Sequence, residues 1–174
     1  MTFLRIILLG DSGVGKTSLL TCFLDSTFSP FHIPTVGIDF RVSNKTLFWD
    51  AGGSFETIHT SHYLPAGDVV VIVFDVTRPE TFDHAKNLWL EKSLTGGKKE
   101  AIIVLVGNKC DDGRRCVPFN LASDLASMHT IDYLDVSAKT DLNVDLLFSS
   151  LMATRRQTVA IKKIKRDERH CTLF

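Results

Sequence analysis

The stretch GDSGVGKTS, Gly10 to Ser18, sets glycines, a lysine and hydroxyl side chains at the spacing G-x-x-x-x-G-K-[ST], between an apolar run and a helix-like pattern. Glycines there let the backbone N–H groups of Ser12, Gly13, Val14, Gly15 and Ser18 turn inward around phosphate oxygens, and the helix N-terminus adds positive potential. Lys16 has the length to reach the terminal phosphates, and the Thr17 hydroxyl suits Mg²⁺. The stretch predicts a site for a nucleoside diphosphate or triphosphate.

Two later motifs address the base. AIIVLV, Ala101 to Val106, runs into GNKCD, which projects Asn108, Lys109 and Asp111 from the carboxyl end of a strand. A carboxylate there can accept two hydrogen bonds, from N1–H and the exocyclic amine of guanine, and adenine offers no such donor pair on that edge. A further strand, Tyr133 to Val136, ends in Ser137, Ala138 and Lys139, where the Ala138 N–H can donate to the guanine carbonyl and Lys139 can cover the ring. Each motif alone is weak; in this order after a phosphate loop they favour guanine. A P-loop ATPase or kinase is the rival that this pair argues against.

The chemistry also needs a cation bridging the outer phosphates, and a well-hydrated Mg²⁺ takes few protein oxygens. Thr17, Thr35 and the strand-end carboxylate Asp50 supply them. If Thr35 reaches the ion only when a γ-phosphate is present, its segment becomes an order-to-disorder switch.

VVVIVF, Val69 to Phe74, and AIIVLV lack the alternation of a strand with one wet face, so both read as strands buried on two faces of a parallel sheet. Phe3 to Leu9 reads as the first strand, Lys16 to Leu24 as the first helix, and Val36 to Val42 and Thr46 to Trp49 as extended. A helix starting at Pro79 carries Phe82, Ala85, Leu88, Trp89 and Leu94, and another is striped by Leu142, Leu146, Leu147, Leu151 and Met152. The alternation predicts an open α/β fold with helices on both faces of the sheet.

The chain has 174 residues, enough for one hydrophobic core, with 44% hydrophobic and 23% charged residues and a formal net charge of zero. That balance gives no pull toward nucleic acid. Cys22, Cys110, Cys116 and Cys171 have no zinc-ligand spacing and read as reduced cytosolic thiols. His59 and His62 stand three apart but read as ordinary histidines. The longest uninterrupted apolar run is far below a membrane span, so the body is expected to be soluble; a cytoplasmic location and a monomer are further expectations.

GDSGVGKTSLL, TVGIDF, VGNKCD and VSAKT together resemble the Ras superfamily of small GTPases, and specifically its Rab branch, along nearly the whole chain. The resemblance implies a P-loop G-domain fold of about six mostly parallel strands and five helices, spanning residues 1–158, with a tail over 159–174. It further implies a switch in vesicle traffic that binds GDP or GTP with Mg²⁺ and meets an exchange factor, an activating protein and effectors. Carried over by position, Phe28 packs on the guanine, Thr35 binds Mg²⁺ and the γ-phosphate, Asp50 holds Mg²⁺ through water, and, in the alignment that runs on from Asp50, Gly53 offers its N–H to the γ-phosphate. Lys16, Thr35 and Gly53 are then the catalytic set.

The chain departs from Rab wording after Asp50. It reads DAGGSFE where the family has D-T-A-G-Q-E, which leaves Ser54 at the glutamine position in one alignment and Gly52 or Gly53 there in another. No glutamine orients the attacking water, so slow intrinsic hydrolysis is expected, and a GTP-binding interaction protein with negligible hydrolysis is the alternative. Only eight residues, RVSNKTLF, separate TVGIDF from Trp49, about half the family's usual number; a hairpin turning at Ser43 and Asn44 would have very short strands. An effector surface is expected around Phe40, Trp49 and His62.

The end, CTLF from Cys171, has a C-a-a-X form with Phe last, which favours geranylgeranylation of Cys171. Lys162, Lys163, Lys165, Arg166 and Arg169 stand against Asp167 and Glu168, a local excess of three positive charges. One lipid plus a basic segment is a two-signal anchor for the cytosolic face of a membrane.

Overall fold

The computed structural model describes residues 3–31, 34–53 and 63–153. Six strands, β1 (Leu4–Leu9), β2 (Ile38–Ser43), β3 (Thr46–Ala51), β4 (Val69–Asp75), β5 (Ile102–Asn108) and β6 (Asp132–Asp135), form one sheet in the order β2-β3-β1-β4-β5-β6. Only the β2–β3 pair is antiparallel.

Period-two alternation divides the core in two. Ile6 and Leu8 of β1 with Val69, Val71 and Val73 of β4 face one side, where helix α1 (Lys16–Asp25) and a helix over residues 144–153, α4, pack on them. Ile7 and Leu9 with Val70, Ile72 and Phe74 face the other side, under Phe82, Ala85, Trp89 and Leu90 of the helical run α2 (residues 79–96) and Ala122, Leu125 and Ala126 of α3 (Phe119–Met128). All seven residues of β4 are buried, which is why its sequence shows no polar face. The expected sheet with helices on both faces is the architecture observed.

Helix α2 is three segments in one run: α-helical Pro79–His84, a π-helical stretch Ala85–Leu90, and α-helical Glu91–Gly96. This corrects the expected stripe, because the wide π turn moves the downstream residues round the axis. Trp89 is buried while Leu94 is exposed. In α4 the inner face is Val144, Leu147, Phe148 and Leu151, and Leu142 and Leu146 of the expected stripe are exposed.

The short hairpin also differs from expectation. Its two-residue turn is Asn44 and Lys45, at φ 46° and 62°, a pair of positive values that marks a type I′ turn. Moving the turn one residue beyond Ser43–Asn44 leaves six residues in each strand, paired from Ile38 with Ala51 to Ser43 with Thr46. The eight-residue connection therefore suffices for strands of ordinary length. No helix among the described residues is long and apolar enough to cross a membrane.

Candidate functional site

The loop between β1 and α1 lies at the carboxyl ends of β1, β4 and β5, where open α/β sheets bind ligands. Lys16, buried at the first position of α1, donates from Nζ to the carbonyls of Gly10 and Asp11 at 2.7 and 2.8 Å. Burial pulls its pKa down to about 8, against the upward pull of the Asp50 and Asp11 carboxylates. Gly15 caps α1 in the left-handed region at φ 99°, and a Cβ there would lie 2.2 Å from Asn108 Nδ2.

Beside Lys16, hydroxyl and carboxylate oxygens converge from three segments. Thr17 Oγ1 lies 2.9 Å from Thr35 Oγ1 and donates to Asp50 Oδ2 at 2.5 Å. Asp50 is 1% exposed at the end of β3. All three groups are hard oxygen donors, few in number and set around a cradle lined by Ser12, Gly13, Lys16, Gly52 and Gly53, so they fit a hydrated divalent cation such as Mg²⁺. Among the described residues no cluster of three or more His, Cys, Asp or Glu offers a rival metal site.

The small residues after Asp50 are there for backbone contact. Gly52 N–H donates to the Gly37 carbonyl at 2.7 Å, tying β3 to the segment that carries Thr35. A Cβ on Gly53 would fall 2.1 Å from the Ser12 nitrogen, so the chain lies directly on the phosphate loop. Ser54, His59 and His62 fall outside the described residues, as does the tail with Cys171.

The base motifs meet across β5 and β6. Asn108, 1% exposed, donates to the Val14 carbonyl at 2.8 Å and accepts from the Ala138 N–H at 3.2 Å. Ser137 Oγ donates to Asp111 Oδ1 at 2.6 Å, and Lys139 Nζ stands 3.8 Å from Asp111 Oδ2. Lys109 Nζ reaches the Gly13 carbonyl at 3.0 Å and pairs with Asp75 at 2.6 Å. Burial alone would raise the Asp75 pKa, but hydrogen bonds from Lys109 and Thr77 outweigh it and hold the carboxyl below its ordinary value. Phe28, Gly13, Gly15, Ser18, Asn108, Lys109, Asp111, Ala138 and Lys139 all line one open cleft of about 220 Å³.

A third ring, missed in the sequence, joins the expected aromatic surface. Phe40 packs edge-on to Trp49 at 5.1 Å, and Trp49 meets Tyr63 at 6.1 Å. The Trp49 indole N–H and the Tyr63 hydroxyl are buried without a hydrogen-bond partner among the described residues. Nothing in the spacing distinguishes Tyr63 from neighbouring His62. Tyr63 joins the row from the segment leading into the turn Leu64–Ala66, a packing contact that sequence spacing does not show.

Phosphate loop, strand-end carboxylate and paired base motifs on this sheet define the P-loop small-GTPase fold. The sequence matches the profile of the Ras family over residues 5–157. It is 38% identical to the Ras-related protein SEC4 of Candida albicans over 159 residues, covering 85% of this chain and 75% of that one. It is 37% identical to the Ras-related protein Rab-13 of Bos taurus, covering 84% and 77%, and 36% identical to the Ras-related protein Rab-42 of Mus musculus, covering 94% and 82%. The chain belongs to the Ras family, in its Rab branch of small GTPases.

Proposed function

We propose that this chain binds GDP or GTP with Mg²⁺, works as a switch in vesicle traffic, and hydrolyses GTP slowly. The observation that carries the reading is the joined base pocket: Asp111 is oriented by Ser137, while Asn108 and Lys109 anchor the same loop to the phosphate loop at Val14 and Gly13. A carboxylate so held suits the two donors on the guanine edge, Ala138 N–H suits its carbonyl, and Phe28 and Lys139 flank the ring. Ser12, Gly13, Val14, Gly15, Lys16, Thr17 and Ser18 would hold the phosphates, and Thr17, Thr35 and Asp50 the ion, which neutralises charge on the outer phosphates.

Gly53 lying on Ser12 favours the alignment in which Gly53 meets the γ-phosphate and Ser54 takes the glutamine position. Lys16 and Thr35 then stabilise charge, with no side chain of sufficient length to orient water. The same observation supports a second reading, a GTP-binding interaction protein with negligible turnover. Nucleotide extracted from purified protein, followed by single-turnover hydrolysis with and without an activating protein, tests both. Guanine nucleotide with a slow intrinsic rate is expected, and Ser54→Gln should raise that rate by about tenfold or more. ATP in the extract would sink the reading.

The remaining parts of the proposal concern partners. A G domain over 1–158 would carry exchange-factor, activating-protein and effector contacts as a monomer, and the basic tail over 159–174 with prenylated Cys171 would hold it on the cytosolic face of a membrane. Phe40, half exposed and packed edge-on against Trp49 with Tyr63 beyond, suits an effector as an apolar anchor on the outer strands of the sheet.

A further inference from the structure

The outer side of the phosphate loop is held from α2. Asp11 Oδ2 lies 2.6 Å from His84 Nδ1, and Trp89 Nε1 donates to Asp11 Oδ1 at 2.9 Å. Both oxygens of one carboxylate are thus engaged by residues five apart on one helix. In an α-helix such residues stand about 140° apart round the axis and cannot address one group. The i→i+5 bonding of the π segment Ala85–Leu90 is what brings His84 and Trp89 to the same side.

We propose that His84 and Trp89 are positioning residues for phosphate binding: they grip Asp11, whose own carbonyl accepts from Lys16 Nζ, and so fix the ammonium that meets the nucleotide's phosphates. The inference rests on the guanine-nucleotide reading above and deepens it. Three further contacts make the grip continuous. Arg78 Nη2, from the loop that leads into α2, donates to the Ser12 carbonyl at 3.1 Å, and its Nε donates to Asp75 at 3.2 Å. Lys109 holds the next carbonyl, Gly13. With the carbonyls of residues 11, 12 and 13 each occupied by a side-chain donor, the loop's N–H groups remain for phosphate.

Satisfying a buried indole N–H would by itself explain the Trp89 bond, and that account predicts lost stability alone. Positioning predicts a particular loss of affinity. GMP carries the base and α-phosphate but not the outer phosphates that Lys16 meets. In the full chain with Mg²⁺, GDP and GMP affinities are measured by competition against a fluorescent GDP analogue. His84→Leu and Trp89→Phe should each weaken GDP by roughly tenfold, the loss of one hydrogen bond to a charged group, and leave GMP within about twofold. His84→Asn, whose Nδ2 falls where Nδ1 does, should restore most of the GDP affinity.

His84 is half exposed, so its variants carry the test if the buried Trp89→Phe fails to fold. GDP and GMP weakening in parallel, or neither changing, overturns the inference and leaves the guanine-nucleotide reading standing. A parent chain that binds no GDP overturns both.

Discussion

At the base end of the cleft, Asn108, Lys109, Asp111, Ser137 and Ala138 are bound to one another or to the phosphate loop. At the metal end, among the described residues, Thr35 is held to Thr17 by a single hydroxyl contact, Gly52 to Gly37 by a single backbone bond, and Phe31 and Val36 are each 89% exposed. The contrast follows from what each end must do. A base pocket that is rigid beforehand loses no conformational entropy on binding and selects by geometry, whereas a segment that senses a γ-phosphate must be loosely enough held for one phosphate to decide its position.

The largest expected effect strikes the rigid end. Asp111→Asn replaces an ionised double acceptor by an amide, so GDP affinity should fall at least about 100-fold in equilibrium competition, with xanthosine diphosphate recovering much of it. Unchanged GDP affinity would remove guanine from the reading. Next is Gly53→Ala, whose methyl would fall 2.1 Å from the Ser12 nitrogen. The preference for GTP over GDP should drop by about tenfold, since only the triphosphate needs the backbone this close. Equal losses for both nucleotides would mean that Gly53 serves the fold alone.

Thr35→Ala should speed GTP release about fivefold in Mg²⁺ and leave GDP release within twofold, a split that a fixed metal end would not show. Smallest is Lys45→Gly in the hairpin turn. It relieves a left-handed lysine at φ 62° and should add about 0.5 kcal/mol, read as a rise of about 1–2 °C in Tm with nucleotide affinity unchanged. A fall in Tm would show that the lysine side chain contributes more than its backbone strain costs.

How legible each end was in the sequence follows the same divide. The base motifs and phosphate loop are contiguous words whose geometry is set by the strand they terminate, so GNKCD and SAK locate their own neighbours. The strands of the central sheet declared themselves through unbroken apolar runs. The π segment did not, because its residues read as an ordinary amphipathic pattern and only the fivefold spacing of His84 and Trp89 onto Asp11 reveals the changed register. The I′ turn was misplaced by one residue because Asn44 fits either register, and pairing Ile38 with Ala51 decides it. Tyr63 is not legible in the sequence because tertiary packing of the segment before Leu64 onto β3, not spacing, brings its ring to Trp49. Asp11 reads in the sequence as one more residue of a phosphate loop, and its carboxylate's partners lie more than seventy positions away.

The chain holds two tryptophans, and they sit on different parts of this machinery. Trp49 packs against Phe40 and Tyr63 beside the segment that carries Thr35, and Trp89 is tied to the phosphate loop through Asp11. Each part therefore carries its own native fluorophore. Emission from Trp49→Phe and Trp89→Phe chains, followed in stopped flow, would clock the arrival of phosphate in the loop separately from the rearrangement of the aromatic surface, with no attached dye.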